Sequence, residues 1–199
     1  MEKTECHKKL MEVGTQLFSE RGLKGVSIRE LSLAAGTSIS MISYHFGSKE
    51  GLYQAVLQQQ FACFKEIHEI RQRVTDPVEM VKSYLLWTFG RHRNNPYLLR
   101  FYTSELTNPT AFFEPLVMPV IDEVIVTMAG AIEEGIRQKK FREDVDPTNA
   151  ALALAGMVNY FFLSSLATRN LISHSPEKDE MLVQQYLDIF TRGIGASSG

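Results

Sequence analysis

Cysteine is scarce in this chain: Cys6 and Cys63 are the only two among 199 residues. Two thiols so far apart make neither a disulfide framework nor a Cys-rich metal site. No His, Cys and carboxylate group has metal-ligand spacing, so no metal and no cofactor is expected. Long hydrophobic runs are also lacking. The longest, Ala150 to Leu163, is broken by Gly156 and Asn159, and falls short of the roughly 20 residues that a bilayer span needs. The opening MEKTECHKKL is charged and has no apolar h-region of a signal peptide. A reduced, cytoplasmic chain without membrane contact is the expectation. Charge of one sign is missing too: 21 basic against 23 acidic residues leave a net -2, which gives no bulk attraction to a polyanion. Low-complexity sequence is confined to Gly195–Gly199, expected to fray. No nucleophile stands at readable spacing from a base. The carboxylate clusters Glu133-Glu134 and Asp144/Asp146 sit among charged residues, so an enzyme is not expected.

Apolar residues make up 44% and charged residues 22% of the chain, enough to build a core and too apolar for a disordered tail. Proline placement then organises it. Asp76-Pro77, Asn95-Pro96, Asn108-Pro109, Asp146-Pro147 and Ser175-Pro176 each pair a good N-cap residue with proline at the first helical position. Helical stripes such as Leu10, Val13, Leu17 and Val183, Tyr186, Phe190 lie between these starts. Nothing alternates as a strand would. The spacing predicts an all-α chain of about nine helices: 3–21, 28–35, 39–45, 49–73, 77–94, 96–107, 116–140, 147–169 and 176–194, with 108–119 irregular.

The densest information lies in Val26–Leu52. Ser27 and Glu30 form a capping box that starts a short helix, with Ile28 and Leu31 on its buried side. Small Ala34 and Ala35 allow a close helix approach. Gly36 gives the backbone freedom for a turn, Ser38 can cap a second short helix, and Ser48 a third. This is the pattern of a helix-turn-helix, with the motif at about 27–46. An ordinary helical hairpin would show the same turn. The polar side of the second helix weighs against the hairpin, because Thr37, Ser38, Ser40, Ser43, Tyr44, His45 and Lys49 crowd hydroxyl, imidazole and ammonium donors together. Such donors suit phosphate oxygens, which take half or more of protein–DNA hydrogen bonds.

Leu17-Phe18…Gly22, Ser27, Ala35-Gly36, Ser38, Tyr44-His45-Phe46, Lys49-Glu50 and Leu52 together resemble the DNA-binding domain of TetR/AcrR-type transcriptional regulators. The resemblance covers about the first quarter of the chain, and the helix count fits the family's plan. It implies that Ser38–His45 enters the major groove. Ser27, Tyr44, His45 and Lys49 match positions that hold phosphates; Arg29, Ile39, Ser40 and Met41 match positions that face base edges. Many members have Gly where this chain has Ser40, and Tyr where it has Ser43, so the phosphate role of that Tyr moves to Tyr44. The helix offers no Arg, Lys, Asn or Gln for bidentate base contacts. Arg29 is then the candidate for guanine, and Ile39 and Met41 for thymine methyls. His45 is either phosphate-bound or buried. The run from Tyr44 to Tyr53, with Glu105–Thr110, is similar to the CecR-like branch of the family.

These residues divide the chain into a DNA-binding domain at 1–50 and a helical ligand-sensing and dimerisation domain at 51–199. Ala150–Leu166 is apolar around most of its circumference, and a helix of that kind is buried on several sides. Its small residues Ala151, Ala155 and Gly156 permit close contact. The helix at 176–194 presents Leu182, Val183, Tyr186, Leu187, Ile189 and Phe190. Either both helices fill one subunit's core, or they pair with a second copy. The family likeness and the two-fold habit of helix-turn-helix proteins favour a homodimer through 147–169 and 176–194. Large apolar groups with scattered polar ones populate the middle helices, as in small-molecule pockets. Trp87, Phe101, Glu105, Met128, Asn159 and Tyr160 are the candidate contacts to a largely apolar effector, against the alternative of plain core packing. The expected function is a repressor that binds a pseudo-palindromic double-stranded operator and is released by a small molecule. A DNA-binding activator and, further off, a small helical enzyme are the alternatives. The charge divides as +1 over residues 1–50 and -3 over 51–199, so DNA affinity is expected to rest on oriented donors rather than on a basic surface.

Overall fold

The computed structural model describes residues 3–196. Among the described residues eleven α-helices follow one another: α1 (Lys3–Arg21), α2 (Ile28–Ala34), α3 (Ile39–Phe46), α4 (Lys49–Phe61), α5 (Lys65–Arg73), α6 (Pro77–Asn94), α7 (Pro96–Thr107), α8 (Met118–Arg137), α9 (Pro147–Leu163), α10 (Ser165–Thr168) and α11 (Asp179–Ile194). No strand occurs among the described residues; the nearest thing is one isolated antiparallel bridge between Phe141 and Gly195. The all-α reading holds.

The chain packs as two units. The first holds the residues up to Cys63 together with Pro96–Pro119; the second holds Phe64–Asn95 and the residues from Val120 onward. In the first unit α1 packs against α2, α4 and α7, and α3 packs against α4. Leu10, Phe18, Leu31, Ile42, Leu52, Tyr53 and Phe101 are buried there, with the Phe18 and Tyr53 rings edge to face at 5.0 Å. In the second unit α6 is the central element, in contact with α5, α9 and α11. Its core gathers Met80, Leu85, Phe89, Ile132, Leu154, Val158 and Phe190. Arg93 in the last turn of α6 holds Asp179 in the first turn of α11 by two bonds of 2.8 and 2.6 Å. Each charge also sits at the helix end whose dipole favours it.

Three of the proline-led starts open helices as predicted: Pro96 is the first residue of α7, and the other two show their caps. Asp76 accepts from the amides of Val78 and Glu79 with Pro77 in the first turn, and Asp146 accepts from Asn149 with Pro147 behind it. Ser175-Pro176 opens only a 3-10 turn, Pro176–Lys178, and α11 starts after it. Asn108-Pro109 starts no helix. Thr110 there turns its N–H and hydroxyl back onto Glu105, so the segment closes a loop, and a π-helical turn at Phe113–Val117 leads into α8. The long helix predicted at 49–73 is divided by a 3-10 turn at Ala62–Phe64. Phe61 is buried in the first unit, whereas Phe64 packs on the core of the second, so the pitch changes where the chain passes from one core to the other.

Two further expectations are corrected. Gly195 and Ala196 are not frayed: Arg142 N–H donates to the Ile194 carbonyl at 2.8 Å and Ala196 N–H to the Lys140 carbonyl at 3.1 Å. Residues 197–199 lie outside the described residues. Ala150–Leu163 is also not the longest apolar segment. Phe113–Arg137 forms 25 helical residues long and apolar enough to cross a membrane by length and composition. In the fold, Val124, Met128, Ala131 and Ile132 of this segment face the second unit's core.

Candidate nucleic-acid interface

The motif is built from its caps. Ser27 N–H donates to Glu30 Oε2 at 2.8 Å, and Glu30 N–H donates to Ser27 Oγ at 3.2 Å, which closes the predicted capping box. Arg21 donates to Glu30 Oε1 at 2.8 Å. The Ser27 amide first, then Arg21, hold the Glu30 carboxyl down to about 2. Its charge is thus turned back onto α1 and the cap. Ser27→Ala is expected to lower the melting temperature by about 2–4 °C, followed by circular dichroism. An unchanged midpoint would mean that the hydroxyl adds nothing to α2.

Gly36 then takes φ +62°, a left-handed turn that residues with a Cβ resist. It lets α3 cross α2. Ile42 is the one fully buried residue of α3, and this fixes the helix's rotation. Ile39, Ser40, Ser43 and Tyr44 are then exposed together, Met41 and His45 are half-buried, and Arg29 is exposed on α2. The exposed set holds much of the predicted DNA-facing group.

The structure changes the expected role of several members. Ser38 stands at the N-cap of α3 but makes no side-chain cap bond; its hydroxyl pairs with that of Ser40 at 2.7 Å. The first-turn amides of α3 are therefore free of a side-chain cap. The Thr37 hydroxyl lies 3.4 Å from the Cys6 thiol and is half-buried. Lys49 Nζ donates to the carbonyls of Leu23 and Val26, each at 2.9 Å. An ammonium has three N–H bonds, so one is left for a phosphate. The anchoring role of Lys49 was not legible in the sequence, because nothing in its spacing pairs it with residues 23 and 26. In His45, Nε2 is buried without a partner among the described residues, and the ring packs edge-on against His7 at 5.6 Å. Any phosphate contact would fall to its other nitrogen.

The turn between α3 and α4 depends on Gly51. A Cβ there would lie 1.9 Å from the Phe46 carbonyl oxygen. Gly51 N–H donates to Ser48 Oγ at 3.1 Å, so the cap of α4 and the end of α3 share one tight corner. Among the described residues no group of three or more His, Cys, Asp or Glu side chains could hold a metal ion.

The six candidate effector contacts divide between the two units. Phe101 and Glu105 belong to the first unit; Trp87, Met128, Asn159 and Tyr160 belong to the second. Glu105 is fully buried and accepts from Tyr53 OH at 2.5 Å. Phe101 and Met128 are packed in their cores. Trp87 Nε1 donates to Glu66 at 2.9 Å, and Arg91 binds the same carboxylate oxygen. Asn159 Oδ1 lies 2.9 Å from His92 Nε2; burial lowers the His92 pKa more than this bond raises it. Tyr160 is 70% exposed on α9, which takes it out of any interior pocket of the single chain.

The family description "Bacterial regulatory proteins, tetR family" matches residues 10–56, and "Tetracyclin repressor-like, C-terminal domain" matches residues 77–190. The transcriptional repressor NicS of Pseudomonas putida is 25% identical over 162 residues, which are 80% of this chain and 76% of NicS. The repressor KstR2 of Mycolicibacterium smegmatis is 24% identical over 195 residues, 96% of this chain and 91% of its own. The crystal structure of AibR in complex with isovaleryl coenzyme A and operator DNA is similar in fold, with a TM-score of 0.76 and 19% identity over 92% of this chain and 97% of AibR. Two family matches along the chain, the second spanning more than half of it, make this protein a member of the TetR family of bacterial regulatory proteins.

Proposed function

We propose that the chain is a cytoplasmic homodimeric repressor that reads a pseudo-palindromic operator and leaves it when a small, largely apolar effector binds. The outward face of α3, beside exposed Arg29 on α2, carries this reading. In this scheme residues 1–50 contact DNA, and residues 51–199 bind the effector and pair the subunits. Ser38–His45 of each subunit enters a major groove, the two about 34 Å apart. Ser27, Thr37, Ser38, Ser43, Tyr44, His45 and Lys49 hold phosphates, while Arg29, Ile39, Ser40 and Met41 face bases. NicS and KstR2 are named repressors, and AibR was crystallised with both isovaleryl coenzyme A and operator DNA, which supports a ligand-responsive role. The effector shifts the equilibrium by its differential affinity for the two states.

Anisotropy titration with duplexes from the DNA upstream of the protein's own gene tests the reading. Operator affinity is expected to fall at least about tenfold between 50 and 200 mM salt, since each phosphate contact releases counterions. A salt-independent affinity would overturn phosphate binding. Arg29→Ala is expected to relax preference at one base position, with about 1–3 kcal/mol of discrimination lost there. Equal weakening on every duplex would remove Arg29 from base reading.

A further inference from the structure

The first unit contains a cleft of about 760 Å³ that none of the roles above uses. Its walls are the end of α1 with the turn after it, and the last turns of α7 with the loop that follows. Its floor is Tyr53, whose ring is buried and whose hydroxyl is fixed by Glu105 at 2.5 Å. The cleft therefore reaches down to the core. Three cations line it, Arg21, Lys24 and Arg100, against one carboxylate, Glu20. Arg21 is spent on Glu30. Lys24, in the turn after α1, and Arg100, on α7, line the same cavity, and neither has an ion pair or side-chain hydrogen bond among the described residues. Ser104 and Asn108 add a hydroxyl and an amide on the α7 side.

We infer that this cleft is a binding site for a small anion, a carboxylate or phosphate group, held between Lys24 and Arg100. Arg suits either oxyanion as a fork, and Lys as a point charge. One wall, the end of α1 with the turn after it, lies before residue 51, and none of the six candidate effector contacts lines the cleft. Leu23 also lines the cleft, and the Leu23 carbonyl is one of the two that hold Lys49. Occupancy thus bears directly on the segment that anchors the first turn of α4.

Binding is tested on the full chain without DNA, so its outcome is independent of the operator reading. Inorganic phosphate, and acetate in a parallel titration, are added to ¹⁵N-labelled protein at constant ionic strength. The expected result is a saturable shift of amides at 19–24 and 100–110 with at least one of the two anions. The affinity is expected to weaken at least about tenfold, or 1.4 kcal/mol, in the Lys24→Gln/Arg100→Gln variant. Thermal melts establish that the variant is folded, and Arg100→Gln alone serves if the double variant is not. Shifts that rise linearly with both anions, or saturable shifts unchanged by the substitutions, would overturn the site.

Discussion

Glu105→Ala is expected to destabilise the folded chain by about 3–5 kcal/mol, measured as a lowered midpoint of chemical denaturation. The carboxylate is fully buried. It accepts from Tyr53 OH at 2.5 Å, from the Thr110 amide at 3.1 Å and from the Thr110 hydroxyl at 3.0 Å. Removing it leaves the buried Tyr53 hydroxyl and the half-buried Thr110 amide and hydroxyl without their acceptor, and opens a void beneath Tyr53. The Tyr53 hydroxyl is held well above the usual tyrosine range, by burial first and then by the bond to Glu105 and its charge. Tyr53→Phe keeps the ring against Phe18 and Phe101 and removes one donor, so a smaller loss of about 1–2 kcal/mol is expected. The two substitutions share a bond and should be non-additive by about 0.5–3 kcal/mol in a double-mutant cycle. Additive losses would mean that Glu105 stabilises through Thr110 alone.

Glu105 also shows where the sequence is legible. It is readable as an unusual acid in an apolar stretch, but its partners lie 52 positions before it and five after, and no periodicity links such positions. The capping box is the opposite case. Ser27 and Glu30 are three apart, and three-apart caps are local chemistry that the chain must satisfy wherever it folds. The same locality made Asp76 and Asp146 legible as helix starts. It failed at Asn108-Pro109, where a distant demand, the buried carboxylate of Glu105, claims Thr110. Helix ends set by tertiary packing were equally hidden: Ala62–Phe64 has neither Gly nor Pro, yet the helix tightens there. In the motif, the exposed face of α3 follows from the single buried position Ile42. The inward commitments of Lys49 and His45 do not follow, since each depends on groups from other elements. The CecR-like likeness of 44–53 and 105–110 is not extended by the relatives described above.

Leu152→Glu combined with Tyr160→Glu is expected to convert the chain to a monomer in sedimentation and to weaken operator binding at least about a hundredfold. Leu152, Gly156, Tyr160 and Leu163 recur at helical spacing along one side of α9, and all four are exposed in the single chain. Leu152 is 58% exposed and Tyr160 70%, costly for apolar groups that meet only water. Leu166 continues the strip on α10; Met181 and Ile189 are exposed on α11. The opposite sides of α9 and α11 supply Leu154, Val158, Val183, Leu187 and Phe190 to the core, so the two helices fill the interior and still keep an unpartnered face. Core packing therefore uses one side of each helix, and the exposed side is the one on which the proposed second copy would pair. Gly156 leaves room on this face for a second helix to approach. Two carboxylates placed on it would need to be desolvated to pair. Operator affinity follows, because a monomer engages one half-site and loses the effective concentration supplied by its partner. Val126→Glu on α8 is the control: that residue is equally exposed, lies off the strip, and is expected to leave both the dimer and its operator affinity unchanged. A monomer produced by Val126→Glu, or an intact dimer carrying both α9 substitutions, would place the interface elsewhere.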